Sequence, residues 1–460
     1  MDGLATCPEH DSIDNPAMTL KTPELLAPAG SLKMLETAFA FGATAIYAGQ
    51  PRYSLRVRNN DFGSLELLGQ GIDLAHRLGN KFYLVSNVIP HDNKIKGYVQ
   101  NMTPVIALKP DALIMSDPGL IMMVRETWPE VEIHLSVQAN TVNSAAVRFW
   151  KSVGVARVIL SRELSLDQVA QIRQECPDTE LEVFVHGALC IAYSGRCLLS
   201  GYFNHRDANQ GSCTNSCRWD YKTQPGVVDA SGDILAPQAA AERERAEVYV
   251  IEEAQRPGSY MPIEEDEHGT YIMNSKDLRA IEHVQRLVEI GVDSLKIEGR
   301  TKSPYYVART VQSYARAIAD AVAGRELDPA LLGQLEGLAN RGYTSGFFQR
   351  HTPQETQNYL RGYSESGRSL YVGDVVSFDP VRGLAEVIVK NRFAVGDWLE
   401  IIQPAGNTDV QLTQMENTEA QAMTVAPGSG HTVWLPLPAS AVGAFVARYL
   451  TAPEAEALQA

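Results

Sequence analysis

At 460 residues with 45% hydrophobic side chains, the chain can bury a sizeable core, with room for one large domain and a smaller one. A formal net charge of −15 excludes a protein that coats nucleic acid through a broad basic face and leaves room only for a local basic mouth. Six cysteines in this length exclude a disulfide scaffold, and neither a membrane-spanning run nor a signal-peptide layout is present, so a cytoplasmic protein with no membrane partner is expected.

Residues 1–22 read as a flexible tail. Beyond them a phrase recurs: an apolar residue, then Gly, a few residues, then a β-branched or aromatic run. It occurs at Phe41-Gly42 before Ala45-Ile46-Tyr47, and at Leu78-Gly79 before Phe82-Tyr83-Leu84. It returns at Val153-Gly154 before Val158-Ile159-Leu160, and at Ile290-Gly291 before Ser294-Leu295-Lys296-Ile297. A helix that ends on a left-handed Gly and turns into a buried strand gives this pattern, and its repetition means βα units with a parallel sheet.

Strands are expected to begin near Leu25, Ala45, Phe82, Ala112, Ile133, Arg157, Leu181 and Ser294. Eight units over roughly 300 residues predict a TIM-like (β/α)8 barrel across 23–326. A doubly wound open sheet is the runner-up, without a Gly-rich dinucleotide fingerprint after the first strand. About ninety residues separate His186 from a helix expected to start near Asp277. An insertion at about 187–270 accounts for them, and its middle, Gln224 to Glu247, reads as mobile. A helical linker is expected over 327–365. Short strands and turns such as Val395-Gly396-Asp397 and Pro427-Gly428-Ser429-Gly430 then predict a small all-β barrel domain over 366–452.

Four of the cysteines cluster as Cys190-x6-Cys197-x15-Cys213-x3-Cys217. Four thiolates suit a tetrahedral zinc or an iron–sulfur cluster, and unliganded thiols are the bland alternative. Structural zinc favours two tight ligand pairs, and only Cys213 and Cys217 have that spacing. Cys7 and Cys176 read as incidental.

The stretch Glu182-Val-Phe-Val-His186-Gly-Ala-Leu-Cys190-Ile-Ala-Tyr-Ser-Gly-Arg196-Cys197 resembles the signature of the collagenase-like peptidase family U32. Glu24-Leu-Leu-Ala-Pro28-Ala-Gly30, Ser116-Asp-Pro-Gly119 and Lys296-Ile-Glu-Gly-Arg300 are similar to other phrases of that family. The resemblance runs from about Pro23 to the β domain. Gly49-Gln50-Pro51-Arg52-Tyr53-Ser54-Leu55-Arg56-Val57-Arg58-Asn59-Asn60 and the added C-terminal domain are similar to its tRNA branch, prephenate-dependent hydroxylases that make 5-hydroxyuridine at the wobble position.

The resemblance implies a [4Fe–4S] cluster on Cys190, Cys197, Cys213 and Cys217, with Cys217 the ligand whose position varies among branches. It also implies tRNA as substrate, prephenate as co-substrate and an unidentified reductant or redox partner. Peptidase activity, with Cys190 as nucleophile and His186 as base, is the alternative in the family name. A cluster protein that only presents tRNA, or an iron–sulfur hydroxylase acting on rRNA or a quinone precursor, are others.

In a TIM barrel the chemistry sits at the C-terminal ends of the strands. His186, Glu298 and Arg300 are the catalytic candidates there. Gln50, Arg52, Arg56, Arg58, Asn87, Gln138 and Arg162 are the candidates for binding substrate. With Arg196, Arg206, Arg218 and Lys302 they predict a basic mouth suited to a dicarboxylate or an RNA phosphate. Each has a plainer reading. Glu298 and Arg300 can pair with neighbouring charges, Gln138 can satisfy loop backbone, and His186 can be a satisfied core histidine.

Overall fold

A computed structural model describes residues 20–49, 52–55, 60–189, 277–338, 343–349 and 369–450, together with the backbone of short strands between 221 and 270. Seven parallel strands come first: β1 (Glu24–Pro28), β2 (Ala45–Gly49), β3 (Lys81–Ser86), β4 (Ala112–Met115), β5 (Ile133–Leu135), β6 (Arg157–Ile159) and β7 (Glu180–Ala188). The eighth barrel strand, Ser294–Ile297, pairs in parallel with both β1 and β7, through Leu25↔Leu295 and Val183↔Leu295. That double pairing closes the sheet. The expected (β/α)8 barrel is the observed fold.

The helices between strands start where the sequence provides side-chain caps. Ser31, Ser64, Asp117, Asn143, Ser165 and Ser303 each accept a hydrogen bond from the backbone N–H three residues on, satisfying a donor the helix leaves orphaned. At their other ends the recurring glycines take the left-handed conformation, with φ of 73° at Gly79 and 81° at Gly291. Cap and stop together set the register of each unit.

One expected element is different. The chain at Asp277 forms a strand rather than a helix: Asp277–Arg279 pairs antiparallel with the end of β7, Arg279 opposite His186. The helix begins only at Val284. A three-residue strand, Asp-Leu-Arg, lacks the length to announce itself by periodicity. Tyr343–Thr344 adds a further parallel strand beside it. Within the insertion, strands Tyr221–Val228, Ile234–Leu235, Val248–Glu253 and Tyr260–Ile263 form an antiparallel sheet, so part of the stretch expected to be mobile is strand.

The C-terminal region is all β. Six strands, from Ser369–Asp379 to Phe445–Tyr449, make one antiparallel sheet around a second apolar core that includes Val372, Val387, Leu399 and Val433. This region docks on the barrel through the Pro304–Val322 helix. Arg309 makes a bidentate pair with Glu400 at 2.7 and 2.8 Å, both side chains buried. Tyr305 stacks on Tyr371 with ring centres 4.5 Å apart, and Phe445 packs against Phe41 and Tyr305. Phe445 is therefore interface core, not an exposed platform for a base.

The barrel interior is charged as well as apolar. Arg157 opens β6 and bonds to Glu24 of β1 at 2.6 Å, a contact that can only cross the lumen. It also lies 2.7 Å from Glu180 and 3.3 Å from Glu182, while Lys296 pairs with Glu182 at 2.7 Å. The Tyr83 hydroxyl donates to Glu24. These groups climb from the first residues of the strands toward their C-terminal ends.

Candidate functional site at the barrel mouth

The eighth strand delivers Glu298 and Arg300 just beyond its C-terminal end. Tyr47, in the middle of β2, has its hydroxyl 3.0 Å from Glu298 Oε2 and 3.0 Å from the Ile297 carbonyl. Burial raises the Tyr47 phenol well above its ordinary value, and the Glu298 charge adds to this, so the phenol is a neutral donor. Arg300 is buried, donates to the Ser54 hydroxyl at 2.8 Å, and lies 5.7 Å from the Tyr47 ring centre. Gly49 lets it pass: a Cβ there would stand 2.4 Å from the guanidinium by ideal geometry.

Arg162, from the loop after β6, donates to the Ala188 carbonyl at 2.7 Å and stacks its guanidinium 3.9 Å from the Phe184 ring centre. It therefore pins the end of β7, two residues before Cys190 in the sequence. Asn87 and Gln138 lie at the ends of β3 and β5, joined through Ser136. Asn87 accepts from the Leu55 N–H, and Ser136 Oγ lies 3.5 Å from Asn87 Nδ2 and 3.3 Å from Gln138 Oε1. Arg52 is exposed and donates to Asn101 at 2.9 Å. Gln50, Arg56, Arg58 and all four clustered cysteines lie outside the described residues. Among the described residues no group of three or more His, Cys, Asp or Glu side chains could hold a metal.

His186 is enclosed. Its ring centre lies 5.4–5.9 Å from those of Tyr306, Tyr314 and Tyr343, and Nδ1 is 3.4 Å from the Tyr314 hydroxyl. Burial pushes its pKa down to about 3, against the opposing pull of Asp277, so it is neutral at physiological pH. In an unfolded chain it titrates near 6.5. The folded value is the lower, so the unfolded chain takes up the proton first and stability falls as pH drops from about 6.5 toward 3. The expected loss at pH 5 is about 2 kcal/mol. Denaturant unfolding at pH 7.5 and pH 5 should show a loss larger by about that amount in the wild type than in His186→Gln, because buried His134, also held low, contributes equally to both. Equal losses in both would refute the assignment.

The candidates drawn from motifs omitted Tyr47, Ser54, Lys296 and the tyrosines around His186. The signal available was strand alternation, which puts Tyr47 and Lys296 on the inward face of Ala-Ile-Tyr-Ala-Gly and Ser-Leu-Lys-Ile.

Residues 30–358 match the family model for peptidase family U32, and residues 368–448 match that for its C-terminal domain. The chain belongs to peptidase family U32. Within U32 it falls in the branch whose members bear the name tRNA hydroxylation protein P. The Escherichia coli protein of that name is 58% identical over 90% of this chain and 94% of its own length. The one from Haemophilus influenzae is 55% identical over 90% of this chain and 93% of its own. A more distant relative, the 23S rRNA 5-hydroxycytidine C2501 synthase of Escherichia coli, is 29% identical over 84% of this chain and 52% of its own length. No helix among the described residues is long and apolar enough to cross a membrane.

Proposed function

We propose that this U32 protein hydroxylates tRNA, converting the wobble uridine to 5-hydroxyuridine with prephenate as co-substrate. The observation that carries the reading is the mouth itself. A carboxylate anchored by a phenol, Glu298 on Tyr47, stands beside two arginines, Arg300 and Arg162, on an otherwise acidic protein. High identity to the tRNA hydroxylation proteins over nine-tenths of this chain supports the RNA substrate.

Arg300, Arg162 and Lys302 suit the two carboxylates of prephenate. A target uridine has to leave its stack to present C5 to such a recess. The β region is a poor phosphate grip: residues 369–450 hold four basic side chains (Arg382, Lys390, Arg392, Arg448) against eight Asp and Glu. RNA contact is therefore assigned to the mouth.

Cys190, Cys197, Cys213 and Cys217 would hold a [4Fe–4S] cluster, which when bound would supply one-electron redox chemistry. The chain's own part is to fix the approach to that site, through the Arg162 bond to the Ala188 carbonyl. Against the peptidase reading, a His186 with pKa about 3 is too weakly basic to activate a thiol.

The test is mass spectrometry of tRNA nucleosides from cells lacking the gene, from the same cells carrying it back, and from cells unable to make prephenate. The expected result is loss of 5-hydroxyuridine and its derivatives in the first and third, and recovery in the second. Unchanged nucleosides on deletion would refute the RNA substrate. Loss on deletion alone would refute prephenate.

A further inference from the structure

A buried cation lies directly beneath the mouth. The Lys296 ammonium is 2.7 Å from Glu182 Oε1, 4.4 Å from the Tyr47 ring centre and 5.3 Å from that of Phe184. Arg300 lies 5.7 Å from the same Tyr47 ring. Both cations thus stand close to the ring, and its hydroxyl lies 3.0 Å from the Ile297 carbonyl and 3.0 Å from Glu298 Oε2. A buried ion pair fills a core no better than apolar residues of the same volume, and often worse. What Lys296 adds over an apolar side chain is attraction to the electron-rich ring, which fixes where the hydroxyl points.

We propose that Tyr47 is a positioning residue of the mouth, anchoring the Glu298 carboxylate through its hydroxyl while Lys296, held by Glu182, seats the ring from below. The proposal rests on the reading of the mouth as the site of tRNA hydroxylation. Tyr47 is faced by Arg162 from the loop after β6 and by Lys296 from the eighth strand, which Glu182 of β7 holds. Arg300 faces Tyr47 from the loop that follows, and Tyr306 from the Pro304–Val322 helix donates to the Glu298 carbonyl at 2.9 Å. Donation from Tyr47 fixes where the Glu298 carboxylate points, and its loss lets the carboxylate turn.

The experiment compares tRNA hydroxylation by the wild-type holoprotein and by Tyr47→Phe across pH. Phe keeps the ring beside its two cations and removes only the hydroxyl. At each pH kcat should fall about tenfold with KM for tRNA within twofold. A Tyr47→Phe profile that overlays the wild type overturns the proposal. A wild type that hydroxylates no tRNA under any condition overturns instead the reading of the site on which it rests. The double variant Glu182→Met with Lys296→Met removes the cation without leaving a lone buried charge. It should lower kcat several-fold at unchanged KM, and an unchanged kcat would overturn the part given to Lys296.

Discussion

Replacing Arg157 by methionine is expected to destabilise the barrel by about 3–5 kcal/mol, because it removes one partner of a buried pair and leaves the others charged. The guanidinium contacts Glu24, Glu180 and Glu182, and its side chain is only 3% exposed. Of the three carboxylates, Glu180 can turn to water, since its side chain is 44% exposed. Glu24 and Glu182 cannot. Burial pushes the Glu182 carboxyl up, but Lys296 and Arg157 together more than offset that and hold it below the usual carboxylate range. A folded pKa below the unfolded one contributes stability above about pH 4.3, lost as pH falls through the folded value. In Arg157→Met that contribution shrinks, so the variant should also begin to lose stability at higher pH than the wild type. Urea unfolding of both proteins from pH 7 to 4 measures the two effects together. A loss under about 1 kcal/mol at pH 7 would mean the network is dispensable.

On the proposed function, replacing Cys190 by alanine should lower 5-hydroxyuridine formation by at least about a hundredfold, since a four-thiolate cluster would not hold its redox properties with a ligand missing. The purified variant should also lose visible absorption and iron. Cys176→Ala is the internal control. That thiol is buried at the end of a helix, 3.5 Å from the Ser144 carbonyl, on the barrel's outer layer. Its loss should leave colour and activity intact. A colourless Cys190 variant with wild-type activity would refute the cluster's part in the reaction, and a coloured, inactive one would point to a thiol role for Cys190 alone.

The barrel was legible because its signals are local. Gly79 and Gly291 end helices, and runs such as Phe82-Tyr83-Leu84 fit a buried strand whatever surrounds them. The strand at Asp277–Arg279 was not legible, because its only reason to exist is the free edge of an overlong β7. That edge is a tertiary fact. Glu298, Arg300 and Arg162 were found at the mouth because strand ends could be counted. Tyr47 was passed over because a tyrosine within an apolar strand reads as core. Its partnership with Glu298 joins residues 251 positions apart. Periodicity alone does not show such a pairing.

The joint between barrel and β region bears on how the protein can be divided. The matches to the two parts of the family end at 358 and resume at 368, which invites expression of either piece alone. A cut there would strip the Arg309 guanidinium of Glu400 and bare Tyr305 and Phe41 on one piece, Phe445 and Tyr371 on the other. Each fragment would bare an apolar face that the other covers in the full chain. The two halves are better regarded as one inheritable unit, in which a swap of one half between relatives succeeds only if the matching face travels with it.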